Sequence, residues 1–72
     1  MPYDYSKLLG KITEIFGTQV KFSHAMGISE RTTSLKLNAK IGWKQAEIAK
    51  ACELLHIDET EIHDYFFNLR VQ

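Results

Sequence analysis

The sequence lacks most of the features that carry catalysis, secretion or membrane insertion. Its single cysteine, Cys52, has no partner for an internal disulfide. The apolar neighbours of Cys52 mark it as a small buried hydrophobe rather than a nucleophile. No apolar run approaches the ~20 residues of a membrane span, and no signal-peptide pattern is read, so the expected location is cytoplasmic. The three histidines, His24, His56 and His63, form no recognisable metal set with Cys52. A Gly-rich phosphate loop and a nucleophile-base-orienter group are also missing. We therefore expect no catalytic residue, no cofactor and no metal, and read the chain as a non-enzyme. At 72 residues it is one domain, and a chain this short buries only about 60% of its unfolded surface. Nearly every large apolar side chain is needed inside, which makes an exposed aromatic informative.

The net charge is zero, which is unusual for a solitary DNA binder and turns attention to how the charge is spread. Residues 1–50 carry eight Lys or Arg against four acids, whereas residues 51–72 carry Arg70 against five acids. The chain is a basic body with an acidic end.

Apolar spacing gives five helices. Asp4 can cap a first helix over about 5–16, in which Tyr5, Leu8, Leu9, Ile12, Ile15 and Phe16 form one stripe, and Gly17 stops it. Thr18 caps a second over about 19–26, with Val20, Phe22 and Met26 facing inward. A third covers about 30–37 and a fourth about 44–55, with Trp43 packed as an anchor across the loop between them. Asp58 and Glu61 make a capping-box-like start for a fifth helix over about 59–69. Ile62, Phe66 and Leu69 form its core face. Tyr65, Phe66 and Phe67 are consecutive and fan over about 200° of the helix, so at least one must be exposed. Phe67 falls opposite the core stripe with His63 and Arg70, and Tyr65 lies at the margin. An exposed aromatic on an acidic helix is the composition of a protein-binding hot spot.

The stretch 19–38 organises the rest. Gly27 sits where the second helix must end in a left-handed turn that a Cβ resists. Ser29 is a good N-cap for the third helix, and the small Ser23 lets that helix cross close over the second. This is a helix-turn-helix arrangement. The spacing of Gln19, Ser23, Gly27, Ile28 and Ser29 resembles that of phage repressor and Cro-type domains. From Tyr3-Asp4-Tyr5-Ser6-Lys7-Leu8 through Gly27-Ile28-Ser29-Glu30 and Ser34-Leu35-Lys36-Leu37-Asn38 to Ile62-His63-Asp64-Tyr65-Phe66-Phe67, the sequence looks like the small Cro-like proteins of temperate phages of Gram-positive bacteria.

The resemblance implies an all-α, compact five-helix Cro/repressor-like helix-turn-helix domain. It also implies a role in the phage lysis/lysogeny switch, as an antirepressor that binds the N-terminal DNA-binding domain of the phage repressor and favours the lytic cycle. The expected repressor-binding residues are Ile62, His63, Tyr65, Phe66, Phe67 and Arg70 on the acidic end, with the protein a monomer when alone. Family members read bases with the first residues after the cap and others one turn on, here Glu30, Arg31, Ser34 and Leu35. Arg31 suits guanine, Glu30 repels phosphate unless it meets a cytosine amino group, and Leu35 offers only an apolar contact. Gln19, Ser29, Asn38, Lys40 and Lys44 complete a candidate DNA-binding set, the two lysines beside a helix N-terminus being a plausible phosphate site. The alternative function is thus a Cro-like regulator acting directly on operator DNA. A further alternative is an accessory helix-turn-helix module of the excisionase or toxin-antitoxin kind.

Overall fold

A computed structural model of the chain describes residues 3–70. Helix α1 spans Ser6–Phe16, α2 Gln19–Met26, α3 Glu30–Leu37 and α4 Gln45–Leu55; a 3₁₀ turn over Glu59–Glu61 leads into α5, Ile62–Phe66. Among the described residues there is no strand, only an isolated antiparallel bridge between Tyr3 and Leu69. The five helices and their packing around one core make the all-α architecture expected from the sequence.

Local chemistry accounts for the first four helices. Asp4 Oδ1 accepts hydrogen bonds from the Ser6 N–H at 2.8 Å and the Ser6 hydroxyl at 2.6 Å, steadying the start of α1. Gly17 ends that helix at φ 85°. Thr18 Oγ1 accepts from the Lys21 N–H at 3.2 Å at the start of α2. Gly27 closes α2 at φ 77°, in the left-handed region where an L side chain is strained. Its N–H and that of Ile28 both reach back to the Ser23 carbonyl, at 2.9 and 3.1 Å. Ser29 Oγ then accepts from the Thr32 N–H at 3.1 Å, so one short turn stops one helix and starts the next.

The core is built from Leu8 and Ile12 of α1, Phe22 and Met26 of α2, Ala51, Cys52 and Leu55 of α4, Ile57, and Tyr65 and Phe66 of α5. Full burial of a side chain such as Phe22 or Leu55 contributes about 1.5–3 kcal/mol. Three expectations for this core need correction. Val20 is 41% exposed, because two residues along a helix is about 200°, which puts Val20 opposite the buried Phe22. Leu9 and Ile15 are exposed as well, which narrows the expected stripe to Tyr5, Leu8, Ile12 and the partly buried Phe16. Leu69 is 59% exposed, for a different reason. The fifth helix stops at Phe66, and the chain bends away to meet the N-terminal segment: the Asp4 N–H donates to the Asn68 carbonyl at 2.7 Å, next to the Tyr3–Leu69 bridge. Closing the two ends of the chain on each other replaces the last helical turn.

Two polar interactions lie inside. The hydroxyls of Ser23 and Thr33, both fully buried, share a hydrogen bond of 2.6 Å between α2 and α3. Ser23 Oγ also donates to the Gln19 carbonyl at 2.7 Å. Thr33 Oγ1 also donates to the Ser29 carbonyl at 3.1 Å, so its buried hydroxyl is satisfied. Lys36 is only 3% exposed, and its Nζ lies 2.7 Å from Glu47 Oε1 and 2.9 Å from the Gly42 carbonyl. Nothing in the local residue pattern around Lys36 signals its burial.

Candidate functional site

The loop between α3 and α4 is shaped by its own backbone and by that lysine. Ala39 takes φ 58°, reversing the chain after α3, while the Lys40 N–H returns to the Leu35 carbonyl at 2.8 Å. Lys36 then holds Gly42 from beneath, and Glu47 Oε1 accepts the Lys44 N–H at 2.8 Å at the head of α4. Burial by itself would raise the Glu47 pKa, but the hydrogen bonds from Lys36 and from the Lys44 N–H outweigh it and hold the carboxyl below its ordinary value.

Fixed in this way, the loop presents Trp43 to an aromatic cluster. The Trp43 ring meets Phe66 edge-on at 5.2 Å and Tyr5 at 6.4 Å. Tyr5 continues to Tyr3 at 6.2 Å, and Tyr3 meets Phe67 edge-on, also at 6.2 Å. Trp43 is the anchor expected from the sequence, although its Nε1–H is buried without an acceptor among the described residues. Tyr3, Tyr5, Ala39, Ile41, Gly42, Trp43, Ile48, Phe66 and Phe67 line an open, largely apolar cleft of about 140 Å³.

The acidic end is divided between core and surface. Tyr65 and Phe66 are buried at 6% and 1% exposure, and Ile62 is half-buried against the core. Of the expected partner-facing residues, Tyr65 and Phe66 are turned inward by the short α5, Phe66 onto the wall of the cleft, and Tyr65 receives Lys7 Nζ 4.8 Å above its face. Phe67 stays exposed, with the exposed His63 ring at 6.3 Å. Arg70 is exposed too, beyond the helix. Glu59 and Glu61 are exposed along the same segment, while Asp64 lies 3.8 Å from Lys7 Nζ across to α1. Of that set, His63, Phe67 and Arg70 are solvent-exposed and Ile62 is partly so.

The candidate DNA-facing residues separate in a similar way. Gln19, Ser29, Glu30, Arg31, Ser34, Lys40 and Lys44 are exposed, and Leu35 is half-buried. Two of the polar side chains are engaged locally: Ser29 caps α3, and Asn38 Nδ2 donates to the Ser34 carbonyl at 2.8 Å at the other end of that helix. Arg31, Lys40 and Lys44 take part in no ion pair among the described residues. Among those residues no group of His, Cys, Asp and Glu could hold a metal, and no helix is long and apolar enough to cross a membrane. Burial pushes the Cys52 thiol up, which keeps it protonated and unreactive.

A helix pair joined by a left-handed glycine turn, set in a five-helix core and flanked by an aromatic surface, makes this a small all-α domain. A family model described as "protein of unknown function (DUF739)" matches residues 1–69, and the chain belongs to that family. It is also similar to the modulator of repression (MOR) of the temperate bacteriophage TP901-1 from Lactococcus lactis, known from its solution structure. The two are 58% identical over 100% of this chain and 97% of that one, with a TM-score of 0.82. Among curated proteins nothing matches.

Proposed function

We propose that this chain is a regulator of the phage lysis/lysogeny switch, acting as an antirepressor in the cytoplasm of the host bacterium. It binds the DNA-binding domain of the phage repressor as a monomer, blocks or alters operator binding, and favours the lytic cycle. Its likeness to a modulator of repression supports the regulatory role. The observation that carries the mechanism is Phe67, a large ring 41% exposed beside His63 on a segment whose Glu59 and Glu61 face solvent. A repressor surface that neutralises phosphates must be basic, so these carboxylates give it a complementary field while the ring supplies a desolvated centre.

Calorimetric titration of the repressor's DNA-binding domain with this chain tests the reading. Stoichiometric binding that weakens at high salt is expected, and absence of binding at low salt would remove it. A second reading, direct operator recognition, is favoured by Arg31, Lys40 and Lys44, which are exposed and take part in no ion pair among the described residues. It calls for a salt slope near −0.9 per phosphate neutralised, measured on duplex DNA with this chain alone.

A further inference from the structure

Resting on the antirepressor reading, in which the chain acts on the repressor and does not itself occupy operator DNA, we propose that Glu30 is the residue that enforces this choice. Its carboxylate stands at the head of α3 and excludes that helix from the major groove.

A helix-turn-helix enters the groove with the N-terminal residues of its second helix, between two phosphate strands. In this chain that end holds Glu30, directly after the Ser29 cap and exposed to solvent. The anion therefore stands at the end of the helix that would otherwise attract a phosphate. Ser29 Oγ already accepts from the Thr32 N–H at 3.1 Å, which takes up one of the first-turn donors as well.

Nothing on the helix cancels this charge. Arg31 is the next residue, and residues one apart on a helix do not face each other; Glu30 takes part in no ion pair among the described residues. The other cation of α3, Lys36, is 3% exposed and turned inward, with its Nζ 2.7 Å from Glu47 Oε1. The exposed charges of α3 are thus one carboxylate and one guanidinium. Beyond the helix the cations are in place: Lys40 in the loop and Lys44 at the head of α4 are exposed and take part in no ion pair among the described residues. The obstacle to DNA is local, and one substitution should remove it.

The test is fluorescence anisotropy of a labelled duplex carrying the operator region of the same phage, titrated at low salt with the parent chain, Glu30→Gln and Glu30→Lys. Glu59→Lys is the charge-matched control, because Glu59 is exposed on the 3₁₀ turn, outside the candidate DNA-facing set. The proposal expects the parent and Glu59→Lys to leave the signal flat. Glu30→Gln and Glu30→Lys should bind in that order of increasing affinity, the lysine variant at least about tenfold above the control and with a salt slope steeper by about 0.9 for one new phosphate contact. Glu30 is exposed, so the melting temperatures of both variants should match that of the parent. Variants as silent as the parent would overturn the proposal and leave the antirepressor reading standing. Equal gains from Glu30→Lys and Glu59→Lys would overturn it too, by reducing the effect to net charge. Tight binding by the parent chain would overturn both, and its loss in Glu30→Gln would then assign the carboxylate to a cytosine amino group.

Discussion

Lys36 Nζ lies 2.7 Å from Glu47 Oε1, joining the end of α3 to the head of α4 with the lysine almost completely withdrawn from water. The same Nζ also donates to the Gly42 carbonyl, and the same Oε1 accepts the Lys44 N–H, so four groups satisfy each other at the root of the α3–α4 loop. Such an ion pair adds little against a well-packed apolar replacement, but removing one member strands the other. Lys36→Met should therefore lower the unfolding free energy by about 3 kcal/mol, measured by urea denaturation. A change below about 0.5 kcal/mol would mean that the pair is solvated in solution.

The pair also sets the response to acid. The folded-state pKa of Glu47 is lowered, so the unfolded chain takes up the proton first. The stabilisation is complete above the unfolded value, about 4.3, and is lost as the pH falls through the lower folded value. Glu47→Gln should flatten this part of the stability profile: parent and variant should converge as the pH falls below about 4 and separate by pH 6, with the parent the more stable. Parallel curves across that range would contradict the assignment.

Thr33 gives a second internal test. Thr33→Val keeps the shape and removes the hydroxyl that meets Ser23 at 2.6 Å, while Ser23 retains the Gln19 carbonyl. With no donor or acceptor fully stranded, the expected cost in chemical denaturation is about 1 kcal/mol. A loss above about 3 kcal/mol would show that the hydroxyl pair belongs to a network reaching beyond the Gln19 and Ser29 carbonyls.

Trp43 separates ring packing from polar satisfaction. Trp43→Phe retains an aromatic between Tyr5 and Phe66 and deletes an N–H that is buried without an acceptor among the described residues, so the melting temperature should change little. Trp43→Ala empties the space under the loop and should cost about 3–5 kcal/mol. If Trp43→Phe were as damaging as Trp43→Ala, the indole N–H would have to be engaged in solution.

The helices that could be read from the sequence are those that carry their own start and stop signals. Thr18, Gly27 and Ser29 set the ends of α2 and the start of α3 within a few residues, and both helices span the expected ranges. The fifth helix overshot because nothing local ends it. Its last turn is displaced by the bridge from Tyr3 to Leu69, a contact between residues at opposite ends of the chain that helical periodicity does not encode. Lys36 was illegible for a similar reason. A lysine three residues after the buried Thr33 reads as a solvated charge unless the carboxylate that receives it, Glu47, can be placed across the loop. Of the aromatic triplet, geometry alone required one exposed ring, and the exposed one is Phe67. The inward turn of Tyr65 depends on the short helix and on Lys7, neither of which the spacing of the triplet contains.

The most direct measurement is fluorescence anisotropy of a labelled operator duplex already bound by the repressor of the same phage. The duplex is titrated first with this chain and then with Phe67→Ala, and this chain is also tested on the duplex alone. The antirepressor account predicts that the chain alone leaves the free duplex signal flat and reverses the repressor's signal in step with stoichiometry. It also predicts that Phe67→Ala, with an unchanged melting temperature, needs at least about fivefold more protein to do so, equivalent to about 1 kcal/mol. Tight, steeply salt-dependent binding to the duplex by this chain alone, with the repressor's occupancy unaffected by stoichiometric amounts of it, would contradict the account and assign the function to Arg31, Lys40 and Lys44 instead.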